Sequence, residues 1–251
     1  MKNIILVGCG GTGSYIVYYL ARLLHLHKDN GKKINLIIID GDIVEEKNLL
    51  RQNFIPRDLG RNKAEVLAER YSNAFGVNIE YVDKHLEDPQ ELLRIKNYIE
   101  SFGSKTVIVG AVDNGAARRL MHEVIQNYHE RFYYRDLLYI DAGNAATTSQ
   151  VVVGGRFGAM QGEQVMNPLA GQVFPNLLED DEDDEDDEVS CADLSLQDGQ
   201  TITANVMTAT MVYNAISQIV MEGTVPFHIA VADITTGAIK TTPTVREVMR
   251  S

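Results

Sequence analysis

The segment Gly8-Cys9-Gly10-Gly11-Thr12-Gly13-Ser14 decides the fold. It follows the apolar run Asn3-Ile4-Ile5-Leu6-Val7 and precedes a helix-like stretch from Ser14 to Leu26, which gives the order strand, tight turn, helix. The G-x-G-x-x-G pattern requires this context, because its glycines let backbone approach a phosphate and the helix amino terminus offers unpaired N–H groups. We therefore predict that Gly8, Gly10, Gly11, Gly13 and Ser14 bind a nucleotide. A glycine turn that binds nothing is the alternative.

Strands and helices alternate over most of the chain beyond this segment. Apolar runs predict strands over 34–39, 78–82, 106–112 and 137–140, and amphipathic patterns predict helices over 62–75, 89–101 and 116–128. Continuous apolar strands separated by helices are typical of a parallel sheet covered on both faces. The pattern predicts an α/β, Rossmann-like fold with a mostly parallel sheet and helices on both faces.

The carboxyl-terminal part has a different pattern. An extended run at 149–153 is followed by an irregular segment at 154–190, a helix at 202–221, and strands at 226–232 and 238–242. No internal repeat is present, so we predict one domain over 1–251. Its mixed carboxyl-terminal part carries a long acidic crossover loop at about 154–190. A loop of this length is uncommon inside a compact domain and is usually functional or disordered.

Charge and composition narrow the class of protein. The net charge is −12, but the ten consecutive residues from Glu179 to Glu188 are all acidic, so the rest of the chain is nearly neutral. Nucleic-acid binding is not expected, because it needs a basic footprint. No apolar run approaches the length of a membrane span. Two cysteines exclude a disulfide framework and a four-cysteine zinc site. The sequence does not open with a basic segment followed by an apolar one, so we expect no signal peptide. We expect a cytoplasmic protein.

Two acidic residues follow the second predicted strand. Asp40 ends that strand, where a carboxylate accepts hydrogen bonds from ribose hydroxyls, and Asp42 follows after Gly41. Asp40 lies 27 residues beyond Gly13, whereas the dinucleotide fingerprint places its acid about 20 residues on. The first helix is therefore longer, or residues 25–33 form a loop. Turn chemistry around Gly41 is the alternative for both acids.

A third acidic residue, Asp113, follows the buried strand at 106–112. Open α/β sheets bind ligands at the carboxyl ends of their strands. A carboxylate there, with phosphate oxygens, suits Mg²⁺, which prefers hard oxygen ligands. The alternative for Asp113 is an amino-terminal cap of the helix at 116–128, since Asp and Asn favour that position.

The segment from Asn48 to Gln52, together with Lys63, points to phosphate chemistry. Arg51 can bind phosphate bidentately, and Lys63 adds a point charge, as a leaving pyrophosphate requires. An oxidoreductase has no need of these cations. Lys63 on a solvated helix face is the ordinary alternative.

Several blocks in order resemble the ThiF/MoeB/ubiquitin-activating-enzyme adenylation domain. They are the glycine loop, Asp40-Gly41-Asp42, Asn48-Leu49-Leu50-Arg51-Gln52, Asp58-Leu59-Gly60 with Lys63, and Val112-Asp113-Asn114 with Arg118. The match runs over about residues 3 to 120, and the Asn-Leu-x-Arg-Gln block is its most specific part. The chain is most similar to compact bacterial ThiF-like members, including the PRTRC-system type.

The resemblance implies an ATP- and Mg²⁺-dependent adenylyltransferase, a transferase that activates the carboxyl-terminal glycine of a ubiquitin-like or sulfur-carrier β-grasp protein. It implies that the glycines, Asp40 and Asp42 hold the nucleotide and that Asn48, Gln52 and Asn114 line the same pocket. It further implies that Arg51 and Lys63 contact the phosphates and that Asp113 binds Mg²⁺. By the same analogy the protein is a homodimer.

The chain departs from the family pattern in two places. The usual pair of Cys-x-x-Cys motifs is absent, so zinc is not expected. Many members supply an arginine from an amino-terminal helix to the partner's site, whereas here the first strand begins at Asn3. Arg118 is a candidate replacement; the alternatives are another arginine that reaches the site through a different contact, or low activity.

Cys191 matches the crossover-loop cysteine of the family in position only, and its acidic neighbours disfavour the thiolate. It is a candidate acceptor of the activated acyl group, with an inert buried thiol as the alternative. Two other functions stay open: a non-catalytic scaffold that binds nucleotide or a partner, and a Rossmann NAD/FAD oxidoreductase.

Overall fold

Ten strands form one sheet in the part of the chain that the computed structural model describes, residues 2–29, 33–99, 104–131, 136–158, 163–179 and 201–248. The strands are β1 (Lys2–Val7), β2 (Ile34–Ile39), β3 (Glu80–Val82), β4 (Lys105–Gly110), β5 (Leu137–Asn144), β6 (Thr148–Gly158), β7 (Glu163–Asn167), β8 (Ile229–Asp233), β9 (Ile239–Thr242) and β10 (Arg246–Val248). The helices are α1 (Gly11–His27), α2 (Lys63–Phe75), α3 (Pro89–Ile99), α4 (Gly115–Arg131), α5 (Ala170–Val173) and α6 (Ile202–Met221), with 3-10 turns at Glu46–Leu50, Pro56–Asp58 and Pro175–Leu178.

The sheet has a parallel half and an antiparallel half. Strands β3, β2, β1, β4 and β5 lie side by side in that order and are parallel. Strand β6 runs antiparallel to β5, and it pairs with β8 along its first residues and with β7 along its last. Strand β9 lies beside β8, and β10 lies beside β7. The predicted Rossmann-like fold with a mixed carboxyl-terminal part is confirmed.

Side-chain alternation along the strands gives the sheet two cores. Ile4 and Leu6 of β1 point to the face covered by α1, α2 and α6, whereas Ile5 and Val7 point to the face covered by α3 and α4. Parallel strands buried on both sides need such continuous apolar runs. Of the helices in the described ranges, none has the length and apolar character needed to cross a membrane.

The prediction of an irregular segment at 154–190 is wrong for the first part of that range. Strand β6 continues to Gly158, and β7, α5 and the turn at Pro175–Leu178 follow. Gly154 and Gly155 suggested a loop, but they serve close packing inside β6. A Cβ at Gly154 would lie 2.7 Å from the backbone of Leu169, and Gly155 has φ +103°. Residues 180–200, which hold most of the acidic tract, are outside the described residues.

His129 near the end of α4 is a buried titratable group of this frame. Its Nε2 lies 3.0 Å from the carbonyl oxygen of Leu137, so Nε2 carries the proton and donates. Burial lowers its pKa to about 4, against 6.5 ordinarily; the Leu137 hydrogen bond opposes this shift, and the charge of Arg156 adds to it. Folding therefore selects the neutral imidazole.

We expect the protein to lose stability as the pH falls from 6.5 to about 4. In that window the unfolded state binds the proton of His129 and the folded state does not, so stability rises with pH by up to about 3 kcal/mol in all. His129→Gln keeps an N–H for Leu137 and should flatten this part of the profile. Urea denaturation across the window measures it, with the exposed His25→Gln as control. An equally steep profile in His129→Gln would contradict the assignment.

Candidate active site

A cavity of about 960 Å³ lies at the carboxyl ends of β1, β2, β4 and β5. In open α/β sheets this is the crevice where the chain turns in opposite directions from neighbouring strands and ligands bind. Ten of the residues predicted from the sequence line it: Gly8, Gly10, Gly11, Asp40, Asp42, Arg51, Gln52, Lys63, Asp113 and Asn114. The fold thus brings together side chains from four separate segments.

The glycine loop connects β1 to α1 through very close backbone packing. Gly8 has φ +93°, and a Cβ there would lie 2.5 Å from the carbonyl oxygen of Ala111 after β4. A Cβ on Gly13 would collide with the carbonyl of Gly8. The loop therefore needs glycine at both positions, and α1 starts directly at the cavity with its amino-terminal N–H groups facing it.

Three predicted nucleotide-binding residues do not line the cavity: Gly13, Ser14 and Asn48. The Ser14 hydroxyl is buried, donates to the carbonyl of Gly11 and accepts from the backbone N–H of Asn53. Asn48 is also buried, and its Oδ1 accepts from the backbone N–H of Glu45, 2.8 Å away, which caps the turn that carries Arg51. The polar groups of Ser14 and Asn48 are engaged in holding this turn and the glycine loop.

Asp40 is bound to the glycine loop and to its own turn. Its Oδ2 accepts from the backbone N–H of Cys9 at 2.6 Å, and its Oδ1 accepts from that of Asp42 at 2.8 Å. Burial raises the pKa of Asp40, and these two hydrogen bonds oppose the increase. Each oxygen keeps a second lone pair, so the carboxylate can still accept a hydroxyl.

Lys63, the first residue of α2, is buried with 6% exposure and forms an ion pair. Its ammonium donates to Oδ2 of Asp42 at 2.7 Å, and the Nε2 of His85 lies 3.3 Å from the other oxygen of the same carboxylate. Partial burial raises the pKa of Asp42, but the Lys63 hydrogen bond and nearby charges outweigh it, so the pKa is lowered. The carboxylate is therefore charged and compensates the buried ammonium.

Arg51 presents a guanidinium to the cavity without a partner among the described residues. The next residue, Gln52, has a buried Oε1 with no hydrogen bond there. Unsatisfied buried polar atoms are uncommon and need an explanation, such as a ligand. These two adjacent side chains are thus available to a bound molecule.

Asp113 and Asn114 divide the two roles that the sequence left open. The Oδ1 of Asn114 accepts from the backbone N–H of Ala117 at 2.8 Å, so Asn114 is the cap of α4. Asp113 is exposed in the cavity, and its carboxylate has no partner within the described part of the chain. A single carboxylate is a suitable donor for Mg²⁺ that is otherwise held by phosphates and water.

Asp141 on β5 is a site residue that the sequence reasoning missed. It lines the cavity but is almost fully buried, and it accepts from the Tyr139 hydroxyl at 2.6 Å. The Nε of Arg118 lies 3.4 Å from the same oxygen, and its Nη2 donates to the carbonyl of Val112. Burial raises the pKa of Asp141, and the charge of Arg118 opposes the increase. Asp141 directly follows the strand predicted at 137–140, and this is the signal used for Asp113, so the sequence could have identified it.

The described residues contain no group of three or more His, Cys, Asp or Glu side chains arranged to hold a metal ion. Cys191 is outside the described ranges, so its role as an acceptor stays a prediction. Cys9, in the glycine loop, is fully buried, and that burial raises the pKa of its thiol. An unreactive packing role for Cys9 follows.

Comparisons with known proteins place these features in a family context. A model of the ThiF family matches residues 1–245. None of the curated protein sequences matches the chain. Among solved structures, PaaA has a TM-score of 0.60 and 15% sequence identity, with 97% of this chain and 64% of PaaA covered.

MccB of E. coli is a second structural neighbour. In complex with AMPCPP and MccA it has a TM-score of 0.62 and 16% identity, with 99% of this chain and 65% of MccB covered. In complex with ATP it has a TM-score of 0.60 and 17% identity. The chain therefore spans less than two thirds of the length of either protein, and likeness at these identities shows a shared fold.

Arg118→Met should destabilise the protein by about 3 kcal/mol at pH 7, because it leaves the Asp141 carboxylate buried without a counter-charge. In the folded variant the pKa of Asp141 lies above its unfolded value of 3.8, so folding gains a proton as the pH falls. The cost should therefore be smaller at pH 5 than at pH 7. Urea denaturation at both pH values measures it, with Arg22→Met, an exposed arginine of α1, as control. A pH-independent cost would contradict the pairing.

Proposed function

The chain belongs to the ThiF family, and from this premise we propose that it is an adenylyltransferase. It would use ATP and Mg²⁺ to activate the carboxyl terminus of a small protein or peptide. The observation that carries the proposal is the presence in one cavity of the glycine loop and of Arg51 and Asp113, whose charged groups have no partner among the described residues. Together they offer backbone N–H groups, a cation and a carboxylate to a nucleoside triphosphate and its metal ion.

The glycine loop and Asp40 account for nucleotide binding. The amino terminus of α1 favours a negatively charged ligand. The first N–H groups of a helix have no partner within the helix, and the helix dipole places partial positive charge at that end. Asp40, fixed by the N–H groups of Cys9 and Asp42, offers its remaining lone pairs to the ribose hydroxyls. The ATP complex of the MccB neighbour supports this reading of the cavity.

Arg51 and Lys63 account for the phosphates. Arg51 can bind a phosphate without leaving any partner among the described residues. The ammonium of Lys63, by contrast, must exchange Asp42 for a phosphate or be shared between the two. Asp113 would hold Mg²⁺, which neutralises charge on the phosphates when bound. Positioning and charge neutralisation supply the rate enhancement of such a step.

The reaction requires no general base in this cavity. A carboxylate substrate is already ionised at neutral pH. One carboxylate oxygen forms a bond to the α-phosphorus of ATP, and the bond from that phosphorus to the bridging oxygen of the β-phosphate breaks. The electron pair leaves with pyrophosphate, whose added charge Arg51 and Lys63 offset. The products are an acyl-adenylate and pyrophosphate.

We propose that the substrate is the carboxyl-terminal glycine of a ubiquitin-like or sulfur-carrier β-grasp protein. We also propose that the enzyme is a homodimer and is located in the cytoplasm. The family resemblance of the Asn48–Gln52 block supports this choice. MccB, crystallised with the peptide MccA, offers a short peptide as the other class of substrate. Both classes present a free carboxylate to the same chemistry.

Arg51→Ala and Asp113→Asn should each weaken ATP binding by about 10- to 100-fold in the presence of Mg²⁺, because each removes a group that acts on the triphosphate or its metal. Isothermal titration calorimetry with ATP and, separately, with NAD measures this. Arg57→Ala is the matched control, since Arg57 is exposed on the neighbouring turn and does not line the cavity. Selective binding of NAD, indifferent to both changes, would favour an oxidoreductase, and binding of neither nucleotide would favour a scaffold.

Cys191→Ala should leave adenylation intact and abolish only transfer of the acyl group to the protein. Adenylation needs no thiol, whereas a thioester needs the Cys191 sulfur as nucleophile. Pyrophosphate exchange with a Gly-ending β-grasp protein measures the first step, and a thiol-sensitive adduct on a gel measures the second. Loss of pyrophosphate exchange in Cys191→Ala would refute this division of labour.

A further inference from the structure

Two buried polar side chains, Thr12 and Asn205, meet the half-buried Asn144 at the cavity, and the three come from distant parts of the chain. The Oδ1 of Asn205, on the first turn of α6, accepts from the Nδ2 of Asn144 at 2.7 Å and from the hydroxyl of Thr12 at 3.3 Å. Asn144 also donates to the Thr12 hydroxyl at 3.2 Å. The triangle joins the start of α1, the end of β5 and the start of α6. Two of its members, Thr12 and Asn144, line the cavity.

The Asn205 side chain has a third contact, which reaches the proposed phosphate site. Its Nδ2 donates to the backbone carbonyl of Arg51 at 3.3 Å. On its other side, Arg51 donates its backbone N–H to the carbonyl of Asn48, also at 3.3 Å. The peptide groups that orient Arg51 are therefore held from the turn below and from α6, whereas its guanidinium has no partner among the described residues.

The amide side chain is specifically suited to this position. Asn205 has 0% exposure, so both ends of its amide must be hydrogen-bonded within the protein. Its oxygen takes two donors and its nitrogen gives to a carbonyl, which neither Asp nor Leu can do. Both ends of this amide are hydrogen-bonded, and the apolar side chains of α6 pack in one core with those of α1 independently of it. The pairing instead fixes where the turn of Arg51 lies relative to the glycine loop.

We propose that Asn205 is a positioning residue for the adenylation step, acting through the backbone of Arg51. The inference rests on the proposed function, since it assigns Arg51 to the outer phosphates of ATP. By holding Arg51 and Thr12 in one network, Asn205 sets the distance between the phosphate-binding cation and the amino terminus of α1. Replacing Asn205 therefore lets the guanidinium of Arg51 occupy a wider range of positions, but it removes no group that contacts the nucleotide.

The test compares ATP with AMP on the full chain. Asn205→Leu should weaken ATP binding about 10-fold, the size expected for one misplaced charge-assisted contact, and AMP binding less than about 2-fold. Asn205→Ser, whose hydroxyl can still meet Asn144 but is too short for the Arg51 carbonyl, should do the same if Asn205→Leu does not fold. Thr208→Val is the matched control. Thr208 lies one turn further along α6 and bonds the Ser149 hydroxyl and the Ala204 carbonyl, away from Arg51.

A double variant separates positioning from general loosening of the fold. In Arg51→Ala/Asn205→Leu, ATP binding should be no weaker than in Arg51→Ala alone, because Asn205 acts only through Arg51. Additive losses, or equal weakening of ATP and AMP, would overturn the proposal. If wild-type protein binds ATP in an Arg51-dependent manner and Asn205→Leu leaves that binding unchanged, only the positioning role fails. If wild-type protein does not bind ATP, the proposed function fails as well.

Discussion

The close approach of Gly8 to the end of β4 is the constraint on which the site depends. Gly8 donates its N–H to the carbonyl of Ile39 at the end of β2, and Ala111 donates to the carbonyl of Val7 at the end of β1. Three parallel strands therefore end within one hydrogen-bonded layer, and a side chain at Gly8 would push that layer apart. Because the strands end together, the residues that follow them, Asp40 and Asp113, face the same cavity.

Charge is arranged around this layer so that some groups are compensated and others are not. Lys63 is paired with Asp42, and Arg118 lies beside Asp141, each pair with at least one member buried. A buried charge without a partner is costly, so these pairs permit a strongly polar cavity inside an apolar frame. Within the described ranges the guanidinium of Arg51 has no partner, so it is well placed to gain from an anionic ligand.

The sequence predicted the parallel half of the fold well and the polar network poorly. Apolar runs such as Ile34–Ile39 and the strand, turn and helix around Gly8 are local signals, and the structure has these elements where the pattern put them. Gly154 and Gly155 led to the wrong prediction of a loop. Glycine is needed at these positions because the backbone packs closely against Leu169 and Leu137, which lie on other segments. The role of Asn205 could not be predicted for the same reason. Its hydrogen-bond partners lie far away in the chain, and a single Asn in a helical pattern gives no local signal.

The two halves of the sheet give the cavity two different walls. The parallel half brings strand ends and helix amino termini, which suit phosphates. The antiparallel pair of β5 and β6 brings Asn144, at the end of β5, and Thr148 and Gln150, near the start of β6, to the lining of the same cavity. If the nucleotide binds at the ends of the parallel strands, we expect the acyl substrate to approach along the turn from β5 to β6. Arg118 of α4 lies beside this turn, 3.4 Å from Asp141 of β5. Asn144 lines the cavity and hydrogen-bonds to Asn205, so the network proposed to position Arg51 also holds the end of β5, where we expect the carboxylate to approach.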